Sequence, residues 1–211
     1  MRHALLATIA ALSVFAVACG GSNAPNSKMG EAQNVEKPSG EQAGAEVKFS
    51  NDGSTIGWTG RKTVTGSHDG GFSKFSGNVT LDKAGKEVTY VVVDIDMNSI
   101  WADDKDKPNA KLVGHLKSDD FFNVEKFPKA KFETTKIEKK GDKHEVTGNL
   151  TLRDVTKSLT FDAAISVSDK EIAVKADFQF DRQPYGVKFT GVGENLVKDQ
   201  VEIRLDVKAK R

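Results

Sequence analysis

The amino-acid sequence predicts an all-β protein, an eight-stranded antiparallel barrel with one short helix. Three observations carry that prediction. From Glu46 onward, apolar and polar residues alternate with period two in run after run. The runs are joined by hairpin-sized turns such as "DKAGKE", "KKGDKH" and "VSDKE", with Gly or Asp where the backbone must reverse. Glycine is abundant, at 19 residues, and proline scarce, at 5, as a chain of many turns and few interrupted strands requires.

The strands follow in order. A short start at Val47 and Phe49 precedes "STIGWTGRK", which sets Ile56, Trp58 and Gly60 on one face. "KFSGNVTLD" does the same with Phe75, Gly77, Val79 and Leu81, and "KEVTYVVVDIDMN" with Val91, Val93, Ile95 and Met97. "AKFETTKIEKK" and "KHEVTGNLTLRD" come next, the second placing Val146, Gly148, Leu150 and Leu152 opposite Thr147, Asn149, Thr151 and Arg153. "SLTFDAAIS" aligns Leu159, Phe161, Ala163 and Ile165. "KEIAVKADFQFD" aligns Ile172, Val174, Ala176, Phe178 and Phe180, and "QVEIRLDVKAK" aligns Val201, Ile203, Leu205 and Val207. One-sided strands joined by hairpins mean antiparallel sheet. A barrel hides the edges of so many strands; a two-sheet sandwich is the competing architecture.

Residues 1–18 are set aside as a signal peptide. "MRHALLATIAALSVFAVAC" opens with Arg2 and His3 and continues with an apolar run from Ala4 to Val17 that is short for a membrane span. Cys19, the only cysteine, follows small residues and precedes Gly20, Gly21 and Ser22. "AVAC" resembles a bacterial lipobox, in which the cysteine is lipidated and becomes the new N-terminus; ordinary secretion is the alternative. Either way the exported body has no other thiol, which excludes internal disulfides, thiolate metal sites and cysteine nucleophiles. Residues 19–45 then form the lipidated N-terminus and a flexible linker. From Gly20 on, this stretch holds one valine, one methionine and no aromatic residue, too little apolar surface to order itself. As a coil it would reach roughly 25–30 Å. The barrel domain is expected over 46–211.

A small residue sits between large ones on the inward face of five strands: Gly60, Gly77, Gly148, Ala163 and Ala176. Two readings fit. Missing volume leaves a cavity, or glycines mark bends and alanines fill a taper.

Other chemistry is looked for and set aside. With 31 basic and 30 acidic residues interleaved, no basic stripe is available for nucleic acid. Ser67, His68 and Asp69 are adjacent, and "GSHDG" reads as a turn because neighbouring extended residues face opposite ways. Asp94, Asp96 and Asn98 mimic a calcium loop, but Ser99 and Lys105 stand where glycine and glutamate are needed. "GVGENL" lacks the last glycine of a dinucleotide loop. His68, His115 and His144 have no ligand spacing. No catalytic residue, cofactor or metal is assigned.

"GHLKSDDFFNVEKFPKAKFETTKIEK", followed by "VTGNLTLRDVTKSLTFDA", resembles the YceI-like family of bacterial lipid- and polyisoprenoid-binding proteins. "GGFSKFSGNVTLD", His-Leu-Lys-Ser-x-x-Phe-Phe at 115–122, Lys126-Phe127-Pro128, Gly148-x-Leu-Thr-Leu and Val155-Thr156-Lys157 appear in order. The likeness spans roughly residues 46–211, and departs at Val113-Gly114 and at "FDRQPYGVKFTG". It implies a lipocalin-like barrel with a helix beside it and a long apolar ligand in the interior. The lining expected from the strand pattern and the resemblance together runs through Trp58, Phe75, Val79, Val93 and Ile95. It continues through Leu112, Leu116, Phe121 and Phe122 beside the barrel, then Phe132 and Leu150. Phe161, Ala163, Ala176, Phe178, Phe180 and Ile203 complete it. The expected function is binding or carrying a polyisoprenoid or other lipid in the cell envelope. An outer-membrane lipoprotein facing the periplasm is expected, since Gly20 is not the aspartate of inner-membrane retention; a soluble periplasmic or secreted protein is the alternative. An enzyme on the same barrel would use Tyr185, His115 or Arg182, and a structural protein would have a filled core.

Overall fold

A computed structural model describes residues 22–40, 43–64, 66–193 and 195–211; the leader and Cys19 lie outside them. After a four-residue strand β1 (Lys28–Glu31) come β2 (Glu46–Ser50), β3 (Thr55–Lys62), β4 (Ser67–Phe72), β5 (Phe75–Leu81), β6 (Val88–Asp96) and β7 (Ile100–Ala102). Helix α1 (Ala110–Lys117) precedes β8 (Lys129–Lys140), β9 (Lys143–Leu152), β10 (Val155–Val167), β11 (Glu171–Asp181), β12 (Gly191–Val192) and β13 (Asn195–Lys210). One curled sheet joins them in the order β2-β5-β6-β8-β9-β10-β11-β13-β3-β4-β7, with β1 against β10 and β12 against β13. Every ladder is antiparallel.

The fold class is the expected one, and the count of eight strands is corrected. The strands missed in the body are short or glycine-rich. "GSHDG", expected as a turn, forms β4 instead, pairing with β3 and β7. Its glycines are required by close approach. A Cβ on Gly70 would lie 2.2 Å from Trp58 Cζ2, and one on Gly71 2.9 Å from Trp101 Cζ2. Between β2 and β13 no ladder forms among the described residues. Side chains join that seam instead. Val47 and Phe49 share an apolar cluster with Phe75, Val79, Ile172, Val207 and Ala209, which fills one end of the barrel.

Strands β10 and β11 pair only from Ala164–Val167 to Ile172–Lys175, then part. Inside the parting, the rings of Phe161 and Phe178 stack at 4.0 Å. Outside it lies the N-terminal segment. Gln179 donates its amide to Pro25 O and accepts from Ser27 N, while β1 pairs with residues 157–160 of β10. Met29 packs on the main apolar cluster. Further on, the Asn149 side chain accepts from Gln33 N at 2.9 Å and donates to Gln33 O at 2.7 Å. The flexible linker expected for residues 19–45 is therefore corrected over its described part. Backbone hydrogen bonds order it, not apolar burial: the parted strands offer unpaired amides and carbonyls that must find partners.

Near Ser22 the docked segment meets a charged network on the outer wall. Ser22 Oγ donates to Glu202 at 2.6 Å, and Arg61 and Arg204 each donate to the same carboxylate at 2.8 Å. Burial alone would raise the Glu202 carboxyl, yet these three bonds hold it below the usual glutamate range.

Asn149→Ala should release Gln33 and cost roughly 1–3 kcal/mol, the worth of two hydrogen bonds at a half-buried site. Hydrogen exchange checks it. In the parent the amides of Ser27 and Gln33 should be protected, and in the variant Gln33 should exchange at the open-chain rate.

Candidate functional site

Beyond the filled end, the barrel encloses a cavity of about 180 Å³. At about 30 Å³ per close-packed water-sized group, it holds roughly six such groups. Its walls come from β3, β6, β8, β9, β10, β11 and β13, and no polar atom reaches its accessible surface. One end is capped by Leu116 of α1 with Phe121 and Phe122. The Asn109 side chain caps that helix by accepting from Leu112 N, and Arg153 ties the loop down, donating to Phe121 O and Gly186 O at 2.7 Å each. Lys198 and Val197 also border the cavity, and Lys198 is exposed, so the cavity reaches the surface there.

Of the residues expected to line it, Trp58, Val93, Ile95, Leu116, Phe121 and Phe122 border the cavity, as do Phe132, Leu150, Phe161, Phe178, Phe180 and Ile203. Five do not. Phe75 and Val79 belong to the filled end. Ala163 and Ala176 are buried in the main cluster, away from the cavity wall, and Leu112 packs on that cluster from outside. Phe127, the remaining phenylalanine of the loop before β8, sits at the surface under the Lys126 ammonium and the Arg153 guanidinium. Sequence reasoning missed Ile56, Val201 and Leu205 as lining, although each lies on the inward face of a predicted strand. It also missed Val187, Val197 and Lys198, in or beside an irregular excursion that carries no period.

The choice between cavity and bend resolves position by position. Gly60 borders the cavity, and an added Cβ would meet only Trp58 Cζ3 at 3.7 Å. Gly77 and Gly148 leave no space: a Cβ would lie 2.4 Å from Phe49 Cζ at the first and 2.5 Å from Phe132 Cζ at the second. Cross-strand rings cover these two glycines, which lets the sheet curl without opening a hole.

The side chains considered for an enzymatic reading are not gathered at the cavity. Only Arg182 borders it. Its guanidinium turns away to donate to Val187 O at 2.5 Å, Lys198 O at 3.3 Å and Val197 O at 3.4 Å, and burial lowers its pKa. Tyr185 is fully buried edge-on to Phe180, its hydroxyl has no partner, and burial pushes its pKa up. His115 sits half-buried on α1, its Nε2 3.1 Å from Asp120 and its ring edge-on to Phe121 and Phe189. No group of three or more metal-ligating side chains occurs among the described residues.

A curled antiparallel barrel around a dry, carbon-lined cavity defines a class of protein built to enclose an apolar molecule. Residues 48–209 match the YceI-like domain, and the chain belongs to that family. It is 41% identical over 96 residues to the YceI proteins of Salmonella arizonae and Salmonella newport, covering 46% of this chain. The chain spans about half the length of these curated relatives, 48%. The crystal structure of BcnA from Burkholderia cenocepacia superposes with a TM-score of 0.64 at 22% identity, covering 76% of this chain and 99% of that one. The Campylobacter jejuni YceI protein gives 0.58 at 26% identity, over 67% and 84%. A polyisoprenoid binding domain from Saccharophagus degradans gives 0.59 at 14% identity, over 79% and 98%, a likeness of fold.

Gly60→Ala should leave stability unchanged or raise it, since Ala in a strand gains roughly 0.5–1 kcal/mol over Gly where space allows. Gly77→Ala drives a methyl into Val92 O and the Phe49 ring, and should cost about 1–3 kcal/mol or more. Urea denaturation of the two variants separates open space from covered glycine.

Proposed function

We propose that the chain binds a long-chain apolar molecule, a polyisoprenoid or another lipid, in the barrel cavity and carries it within the bacterial cell envelope. The observation that carries this reading is the carbon-lined cavity, with the nearby guanidinium occupied by backbone carbonyls. The S. degradans neighbour, a polyisoprenoid binding domain, supports the same ligand class. Burying about six methylenes in the cavity yields on the order of 5 kcal/mol before the costs of association. A longer chain would extend out past Lys198.

Gly60→Phe places a ring in the open space beside Trp58. It should abolish displacement of a fluorescent long-chain fatty or isoprenyl probe from delipidated protein while the melting temperature stays near that of the parent. A delipidated parent that takes up no such probe contradicts the binding reading.

The envelope location rests on the sequence of residues 1–19. Cleavage before Cys19 and lipidation of its thiol would leave the barrel on a membrane, with the outer membrane favoured by Gly20. Metabolic labelling with a radioactive fatty acid should mark the parent and not Cys19→Ala, which should also leave the membrane fraction. Equal labelling of both, or cleavage elsewhere without lipid, contradicts it.

A further inference from the structure

Three large apolar side chains among the described residues stand exposed: Val64 at 65%, Val192 at 82% and Leu196 at 44%. They gather on one rim. Thr63, beside Val64, donates its amide to Leu196 O at 2.8 Å, and β12 pairs Val192 with Asn195 and Gly191 with Leu196. The rim adjoins the place where the cavity reaches the surface, since Val197 and Lys198 follow Leu196 directly. No other large apolar side chain among the described residues is exposed, so three apolar tips on one rim ask for a partner.

Lysines stand close to the tips in the sequence. Lys188 and Lys198 are exposed and Lys62 half-buried, and none of the three takes part in an ion pair among the described residues. Against them the same excursion carries Glu194 and Asp199, the second already engaged by Arg182 and by Gln183 at 2.7 Å. Apolar tips amid uncompensated lysines fit an anionic lipid surface, where the tips enter the acyl boundary and the ammonium groups meet headgroup phosphates.

The path of the N-terminal segment points the same way. Ser22 is held by Glu202, which is held by Arg61, the residue before Lys62. Ala24 O accepts from the side chain of Gln179, near the end of β11 that leads to Arg182. Two residues, Gly20 and Gly21, separate Ser22 from Cys19 in the sequence, a span of at most about 11 Å over three steps. A lipid on Cys19 would therefore leave the barrel beside this rim and not at the end of a long tether.

We propose that the rim of Val64, Val192 and Leu196 docks on a lipid bilayer and sets the cavity opening against it, so that an apolar ligand passes between membrane and cavity without crossing water. This extends the ligand reading above, from which it takes the cavity's occupant.

The test uses the full chain on vesicles of phosphatidylethanolamine and phosphatidylglycerol. Single cysteines at Val192→Cys on the rim and Asp169→Cys in the turn at the far end of β11 carry an environment-sensitive fluorophore. The parent treated with the same reagent gives the background from Cys19. Brominated lipids should quench the label at 192 and leave the one at 169 unaffected. The triple variant Val64→Glu, Val192→Glu, Leu196→Glu should transfer a long-chain probe between vesicles roughly tenfold more slowly or worse, with unchanged affinity for the same probe added from solution. Equal quenching at both sites, quenching at 169 alone, or transfer by the triple variant at the parent's rate overturns the proposal. So does burial of the 192 label in concentrated, vesicle-free protein with none on vesicles, which would assign the rim to a second copy. If the parent takes up no probe at all, the ligand reading fails while the quenching result still decides the docking.

Discussion

Closure of the backbone hydrogen-bond network governs this molecule. A sheet that curls around an apolar interior needs partners for the amides and carbonyls of a parted stretch, and only the seam between β2 and β13 is joined by side chains instead. Most of the wall is closed by ordinary antiparallel ladders. Where β10 and β11 part after Ala164 and Lys175, the ladder cannot supply partners, and the chain supplies them from residues 25–31. A segment of small and polar residues is thereby ordered by what the barrel lacks.

The same curl explains the interior. Strong curvature brings inward residues close together, and the wall answers it by pairing glycine with a covering ring: Phe49 over Gly77, Phe132 over Gly148, Trp58 over Gly70. These rings fill the volume that glycine gives up. Gly60 has only the edge of Trp58 in ordinary contact, and there the cavity lies open. The single cation on the cavity's inner wall, Arg182, is held by three backbone carbonyls and contributes its aliphatic stem to the wall. What remains exposed to an occupant is carbon, which selects by size and hydrophobicity and offers no fixed charge to a headgroup.

Much of this was legible before the fold was seen. Period-two alternation located β2, β3, β5, β6, β8–β11 and β13, and it placed Trp58, Phe161, Phe178 and Ile203 on the inward face because alternation reports facing directly. It could not tell which inward residues border a void. Phe75 and Val79 share the pattern of Val93 and Ile95 but lie toward the end filled from β2 and β13, and that depends on how far along the barrel axis each residue falls. β4 escaped notice because its glycines exist to admit the rings of Trp58 and Trp101, a demand made by tertiary contact. β1 escaped because its stability comes from backbone pairing, to which apolar content gives no clue. The excursion from Gly186 to Val197 has no period-two run, so neither Val187 nor the cavity opening beside Lys198 could be anticipated.

The central claim is that the cavity is an occupied site and not a packing defect. Native mass spectrometry of the protein purified without detergent exchange from its own cells tests it most directly. The account predicts a discrete added mass, an apolar molecule with a long hydrocarbon chain, that organic extraction removes and that Gly60→Phe fails to retain. A chain recovered from the cells at the mass of its polypeptide and any covalent modification alone, with no extractable apolar molecule, would contradict it.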